Sequence, residues 1–128
     1  MRAIKTMIKN NGVFMILLCV IMLINVRFDF FYIKTGSMEP EFPVGSVVMV
    51  DPGAKPKIGD VFAYKNHGST VIHRIVGMEG GSYIFQGDAN PSPDGVAVEE
   101  SRLIGKVVVR IRFLAPAIRA MQACRSIP

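Results

Sequence analysis

The chain opens on a short basic, polar stretch and then holds one long apolar run, Val13 to Val26 (VFMILLCVIMLINV), which carries no charge. Phe28, Phe30, Phe31 and Tyr32 follow it closely. Beyond them the texture changes to short apolar runs separated by Gly, Pro, Asn and Asp, the spacing of an all-β domain. Strands are predicted at Ser46–Val50, Val61–Tyr64, Thr70–Val76, Ser82–Gln86 and Leu103–Arg112. Asp51-Pro52-Gly53, Ile58-Gly59-Asp60, Asn66-His67-Gly68 and Glu79-Gly80-Gly81 punctuate them with residues that accept turn geometry at little steric cost. One connection, Gly87 to Gly95 (GDANPSPDG), is too polar and proline-rich for a strand. Its two prolines and the local bonding capacity of Asp88, Asn90 and Asp94 predict a rigid loop able to position a carboxylate.

About 20 apolar residues cross a bilayer, so the run spans one only if Asn10 to Gly12 and the aromatic flank complete it. A cleaved secretory signal peptide shares the basic start and an apolar stretch of this length, but it needs small residues at a cleavage site. Here the run ends Leu23-Ile24-Asn25-Val26-Arg27-Phe28, which favours a retained anchor. Arg2, Lys5 and Lys9 precede it, and the positive-inside tendency leaves the amino terminus in the cytoplasm and the rest of the chain outside. At the other end, Pro116 to Arg125 (PAIRAMQACR) is too short to span and reads as an interfacial helix, a tail, or the start of a longer segment.

With 128 residues there is room for one small domain after the anchor. The net charge of +5 suggests nucleic acid only if it is spread over that domain, and it is not. Residues 1–27 hold four basic groups and no acids, residues 110–128 hold four more and no acids, and the middle is mildly acidic. Basic ends beside an apolar span suit anionic lipid headgroups, so a lipid bilayer is expected as a partner and nucleic acid is not. Cys19 in the apolar run and Cys124 near the end form no disulfide framework. No Cys-x-x-Cys or His-Glu-x-x-His spacing occurs, and neither a metal nor a cofactor is expected.

Acyl transfer needs a nucleophile, a base in reach of it, a group orienting the base, and donors for the oxyanion. Ser37 lies just past the apolar run in Thr35-Gly36-Ser37-Met38-Glu39-Pro40, where it reads as a nucleophile or as an ordinary turn or capping serine. His73 interrupts a strand of β-branched residues, and its ring faces wherever Val71 and Ile75 face, toward the interior or a cleft. A satisfied core histidine is the plain alternative. His67 occupies a turn, Lys65 ends a strand as a solvated lysine or an alternative base, and Asp88 and Asp94 equally serve to stabilise their loop.

In combination these residues resemble the ER-type branch of the type I signal peptidases, which includes archaeal and SipW-like bacterial enzymes. The likeness covers most of the chain. It comprises the amino-terminal anchor, Ser-Met-Glu-Pro at Ser37 to Pro40 with Gly45 after it, His-Arg-Ile-Val at His73 to Val76, Gly-Asp-Ala-Asn at Gly87 to Asn90, an aspartate six residues after Asp88, and Gly105 in the last strand. The resemblance implies Ser37 as nucleophile, His73 as general base where the other bacterial branch has lysine, and Asp94 as the carboxylate completing the relay. Asp88 is implied as a second active-site acid or a structural one. The Ser37 amide and Thr35 are the oxyanion donors it suggests. Met38, Val48 and Val61 are candidates for a shallow pocket taking small side chains, and core packing accounts for them equally well.

The expected protein is then a membrane-bound serine endopeptidase that removes signal peptides from exported preproteins after small residues, through an acyl-enzyme. Its partners are signal peptides, the bilayer and the secretion translocon. A catalytically silent chaperone or assembly factor on the same scaffold is the alternative. A self-cleaving repressor of related fold needs a DNA-binding domain and a Ser-Lys pair; neither is apparent in the sequence, and a membrane anchor fits it badly. The fold class expected is mainly β: a transmembrane helix followed by a small twisted β domain of signal peptidase (LexA-like) type. Residues 1–9 form a cytoplasmic tail, 10–32 the anchor, 33–113 the extracytoplasmic catalytic domain and 114–128 a carboxyl-terminal interfacial helix or tail.

Overall fold

The computed structural model describes residues 2–112. Residues 114–128, with the expected helix over Pro116–Arg125, Cys124 and Pro128, lie outside the described residues. The described chain is one helix, α1 (Arg2–Arg27), and six strands: β1 (Asp29–Tyr32), β2 (Val47–Asp51), β3 (Val61–Asn66), β4 (Ser69–Glu79), β5 (Ser82–Gln86) and β6 (Leu103–Ile111). Two short 3₁₀ turns, Gly36–Met38 and Glu100–Arg102, interrupt the connections.

The basic start and the apolar run form one continuous helix, with Arg27 in its last turn where a cation complements the helix dipole. Its side chains from Asn11 to Arg27 are all exposed, the large apolar ones included. Among the described residues no helix is long and apolar enough to cross a membrane. Arg27 reaches back to the sheet and donates to Asp51 Oδ1 at 2.5 Å, an acceptor that the Gly53 amide shares at 2.8 Å. Those two donors, Arg27 first, hold the Asp51 carboxyl below the usual carboxylate range.

The expected strands are present with ends shifted by no more than a few residues, in one sheet ordered β1-β2-β6-β3-β4-β5. Every neighbouring pair is antiparallel. The sequence did not announce β1: its aromatic residues read as the flank of the anchor, whereas Asp29 to Tyr32 pair with Val50 to Val47 along the sheet edge. Four residues are too few to display a period, and aromatic side chains suit a strand as well as a membrane interface.

Strand β3 shows how the sheet makes two cores. Val61 and Ala63 face a cluster with Ile33, Met38, Phe42, Val48 and Val50, while Phe62 and Tyr64 face a second with Ile75, Tyr83, Phe85 and Val98. Alternate residues point to opposite faces, so a strand buried on both sides is apolar throughout. Phe62, Phe85 and Ile75 are fully buried, each contributing about 1.5–3 kcal/mol by leaving water. The register shifts at Met49/Val50, Ala63/Tyr64 and Ile75/Gly77. Such bulges increase local twist and re-aim side chains next to a site.

Candidate active site

His73 lies in the middle of β4, opposite Phe62 of β3. It shares its face with Val71 and Ile75, as the strand period requires, and these belong to the second core. The His73 side chain is 11% exposed, so it meets its partners in a largely dry setting. Its Nδ1 lies 2.6 Å from Asp94 Oδ2, and its Nε2 lies 3.0 Å from Ser37 Oγ. A carboxylate accepts and cannot donate, so Nδ1 carries the proton; Nε2 is left with a lone pair facing the serine hydroxyl.

Ser37 is held in the 3₁₀ turn Gly36–Met38, which begins from an extended Thr35. The fully buried Met38 side chain pins this turn to the first core. Thr35 Oγ1 lies 3.2 Å from Ser37 Oγ, so the two hydroxyls occupy one side of the site.

The polar loop after β5 is ordered by its own bonds. The Asn90 amide donates to the Gly87 carbonyl at 2.9 Å, and Gln86 Nε2 donates to the Asn90 carbonyl at 2.9 Å. It is also fastened to the nucleophile turn. The Ala89 amide donates to the Ser37 carbonyl at 2.9 Å, and the Asp88 amide to Met38 Sδ at 3.4 Å. Gly87 sits so close that a Cβ there would meet the Ser37 carbonyl oxygen at 2.6 Å. Farther along, the Asp94 amide donates to the Phe85 carbonyl at 2.7 Å, which returns the loop to β5 and turns the carboxylate toward His73.

The two acids of the loop therefore part company. Asp94 meets the imidazole, whereas Asp88 accepts two bonds from Arg74, from Nε and from Nη2, both at 2.8 Å. Arg74 also donates to Glu41 Oε2 at 2.6 Å and to the Gly59 carbonyl at 2.8 Å. One guanidinium thus links the loop, the segment after the nucleophile and the approach to β3. Paired bonds of this charge-assisted kind fix orientation as well as adding energy. The hydrogen bond from Arg74, opposed by partial burial and aided by the guanidinium charge, holds the Asp88 carboxyl below its ordinary range. Asp88 is thus paired with Arg74 and not with the imidazole.

Met38, Val48 and Val61 are packed in the first core, at 1%, 0% and 6% exposure. Lys65 is exposed at the end of β3, and its carbonyl accepts from Arg102. His67 takes a left-handed turn conformation, φ 45°. Among the described residues no cluster of His, Cys, Asp and Glu could hold a metal ion.

Three contributors to the site escaped the sequence reading: Tyr64, Arg74 and Glu41. Tyr64 donates its phenol to Asp94 Oδ2 at 2.8 Å, the same oxygen that His73 uses. Burial, then the bond to Asp94, raises the phenol above its usual range and keeps it protonated. An aromatic residue in a buried strand gives no sign of such a task, while an arginine beside the candidate histidine was a signal that could have been followed.

Ser37, His73 and Asp94 thus stand in line, hydroxyl to imidazole to carboxylate, an arrangement able to pass a proton from nucleophile to base and stabilise the resulting imidazolium. No curated protein matches the chain. The family model described as Signal peptidase, peptidase S26, matches residues 5–103, which include all three. The chain belongs to the signal peptidase family, peptidase S26.

Proposed function

We propose that this protein is a membrane-anchored serine endopeptidase of the ER-type branch, removing amino-terminal signal peptides from exported preproteins with a Ser37–His73–Asp94 relay. The observation that carries the proposal is the pair of distances at His73, 3.0 Å to Ser37 Oγ and 2.6 Å to Asp94 Oδ2. His73 takes the Ser37 proton as the hydroxyl attacks the scissile carbonyl, and returns it to the leaving amine. Water then cleaves the acyl-enzyme by the same route in reverse. Asp94 keeps the imidazole in the tautomer that leaves Nε2 free. The Ser37 amide and the Thr35 hydroxyl supply the oxyanion donors, Thr35 standing beside Ser37 at 3.2 Å.

The anchor is α1. Its uncharged run of 14 residues rises about 21 Å, against a hydrocarbon core of about 30 Å. Asn10 to Gly12 and Arg27 complete the crossing, with the arginine stem lying in the apolar zone and its head in the polar one. Phe30 and Tyr32, both exposed on β1, sit at headgroup level. The amino terminus is then cytoplasmic and the sheet extracytoplasmic. This puts Ser37 close to the membrane surface, where an inserted signal peptide ends. The translocon and the bilayer are its natural company.

The test is cleavage of a secreted precursor by the purified full chain in detergent. Cleavage after a small residue is expected, and Ser37→Ala and His73→Ala should each abolish it. Full activity in both variants would refute the mechanism. If Ser37→Ala supported export in cells as well as the wild type, a silent chaperone would be the better account. Resistance of the chain to alkaline extraction from membranes checks the anchor.

A further inference from the structure

Asp94 Oδ2 is a shared acceptor. His73 Nδ1 reaches it at 2.6 Å and the Tyr64 hydroxyl at 2.8 Å. The sheet register accounts for this convergence. Phe62 stands opposite His73, and Tyr64 stands two residues farther along β3, opposite Val71. Tyr64 is therefore on the same face as His73 and diagonal to it, a separation that a long aromatic side chain can cover. The bulge between Ala63 and Tyr64, on the side facing β6, lies at the same point of β3.

The phenol has little freedom to do anything else. Tyr64 is 3% exposed, and its ring lies against Phe85 with centroids 4.4 Å apart. Phe85 in turn holds the Asp94 amide through its carbonyl. One residue pair therefore grips Asp94 at both ends, Phe85 at the backbone and Tyr64 at the carboxylate. A hydroxyl, unlike a second carboxylate or a lysine, adds a donor to the relay without adding a charge.

We propose that Tyr64 is a positioning residue of the relay, fixing the Asp94 carboxylate so that Oδ2 faces His73 Nδ1. The inference rests on the Ser37–His73–Asp94 reading above. Asp94 belongs to a loop, and its side chain is 19% exposed, so without the phenol the carboxylate is free to turn toward water. With it, the one oxygen that His73 needs is held in place while the charge on the imidazole rises and falls.

The test uses the full chain in detergent and a fluorogenic peptide carrying a precursor cleavage region with alanine before the scissile bond. Rates are counted per active site titrated with a serine-acylating probe, so a poorly folding variant loses enzyme and not kcat. Tyr64→Phe should lower kcat about tenfold with KM within twofold, the size expected for one bond to a charged group. In an Asp94→Asn background the same substitution should cause no further loss. Proton NMR of Ser37→Ala should show the His73 Nδ1–H resonance, and adding Tyr64→Phe should shift it. A fall in kcat of less than fivefold, an equal loss in the Asp94→Asn background, or an unmoved resonance would each overturn the proposal. Retained cleavage by Ser37→Ala would instead strike the relay itself, so the two failures are distinguishable.

Discussion

Asp94 Oδ2 lies 2.6 Å from His73 Nδ1, although 21 residues of chain separate the two. This contact decides which imidazole nitrogen is free to act. An asparagine at position 94 offers either an amide N–H or a neutral oxygen in place of the carboxylate, and the ring can then take the wrong tautomer. Asp94→Asn is expected to reduce kcat by about four orders of magnitude with KM little changed, as in other serine relays. Cleavage kinetics on a precursor peptide measure this. A loss of under tenfold would remove Asp94 from the relay.

Asp88 should show its role in the pH dependence of stability. Its folded-state ionisation lies below the ordinary 3.8, so its contribution is present above that value and fades as pH falls through the folded one. The site is partly open to water, which limits the contribution to about 0.5–1 kcal/mol. Asp88→Asn is therefore expected to be less stable than the wild type at pH 7, with the gap closing toward pH 3. Urea unfolding at the two pH values compares them. A gap that widens on acidification contradicts the Arg74–Asp88 pairing.

Gly87 permits the loop to touch the nucleophile turn. In Gly87→Ala the added methyl meets the Ser37 carbonyl oxygen at 2.6 Å and Asn90 Nδ2 at 2.7 Å, so the backbone must separate. Overpacking of this kind costs about 1–3 kcal/mol. The expected result is a folded protein, lower in melting temperature, whose kcat/KM falls by tenfold or more because Ser37 and Asp94 lose their common support. Unchanged kinetics would show that the loop contact does not set the geometry of Ser37.

Phe85 is fully buried, and it carries both the Tyr64 ring and the Asp94 amide. Phe85→Ala is expected to cost about 3–5 kcal/mol, a large share of the stability of so small a domain. Phe85→Leu leaves a smaller void and should keep the fold while lowering kcat. Denaturant melts paired with kinetics separate the two effects; equal activity of Phe85→Leu and wild type would limit Phe85 to packing.

Much of the strand pattern is legible in the sequence, because alternation is a local property: each residue's face follows from its parity along the strand. Val71, His73 and Ile75 illustrate this, since their common face could be named from spacing and proved to be a core face. Strand β1 was not legible, its four residues being too few for a period and its aromatic content fitting a membrane flank. Ser37 and His73 were visible as candidates through residue type and motif, but not their separation. Tyr64 was invisible as a participant, because nothing about a tyrosine in an apolar strand tells where its hydroxyl ends.

The sequence by itself determined the apolar amino-terminal helix, the antiparallel β domain and the candidate groups for the proposed acyl transfer. These follow from composition, period and motif. Only the tertiary structure decided which acid meets which partner. Asp88 and Asp94 are six residues apart in one loop, with the same charge and the same reach. One is drawn to Arg74 and the other to His73 and Tyr64 because the strand register, the Phe85 carbonyl and the Ser37 carbonyl fix the loop's path. Local pattern places side chains on faces; long-range pairing brings distant faces and loops to hydrogen-bond distance, and that pairing is settled by the packing of the whole sheet.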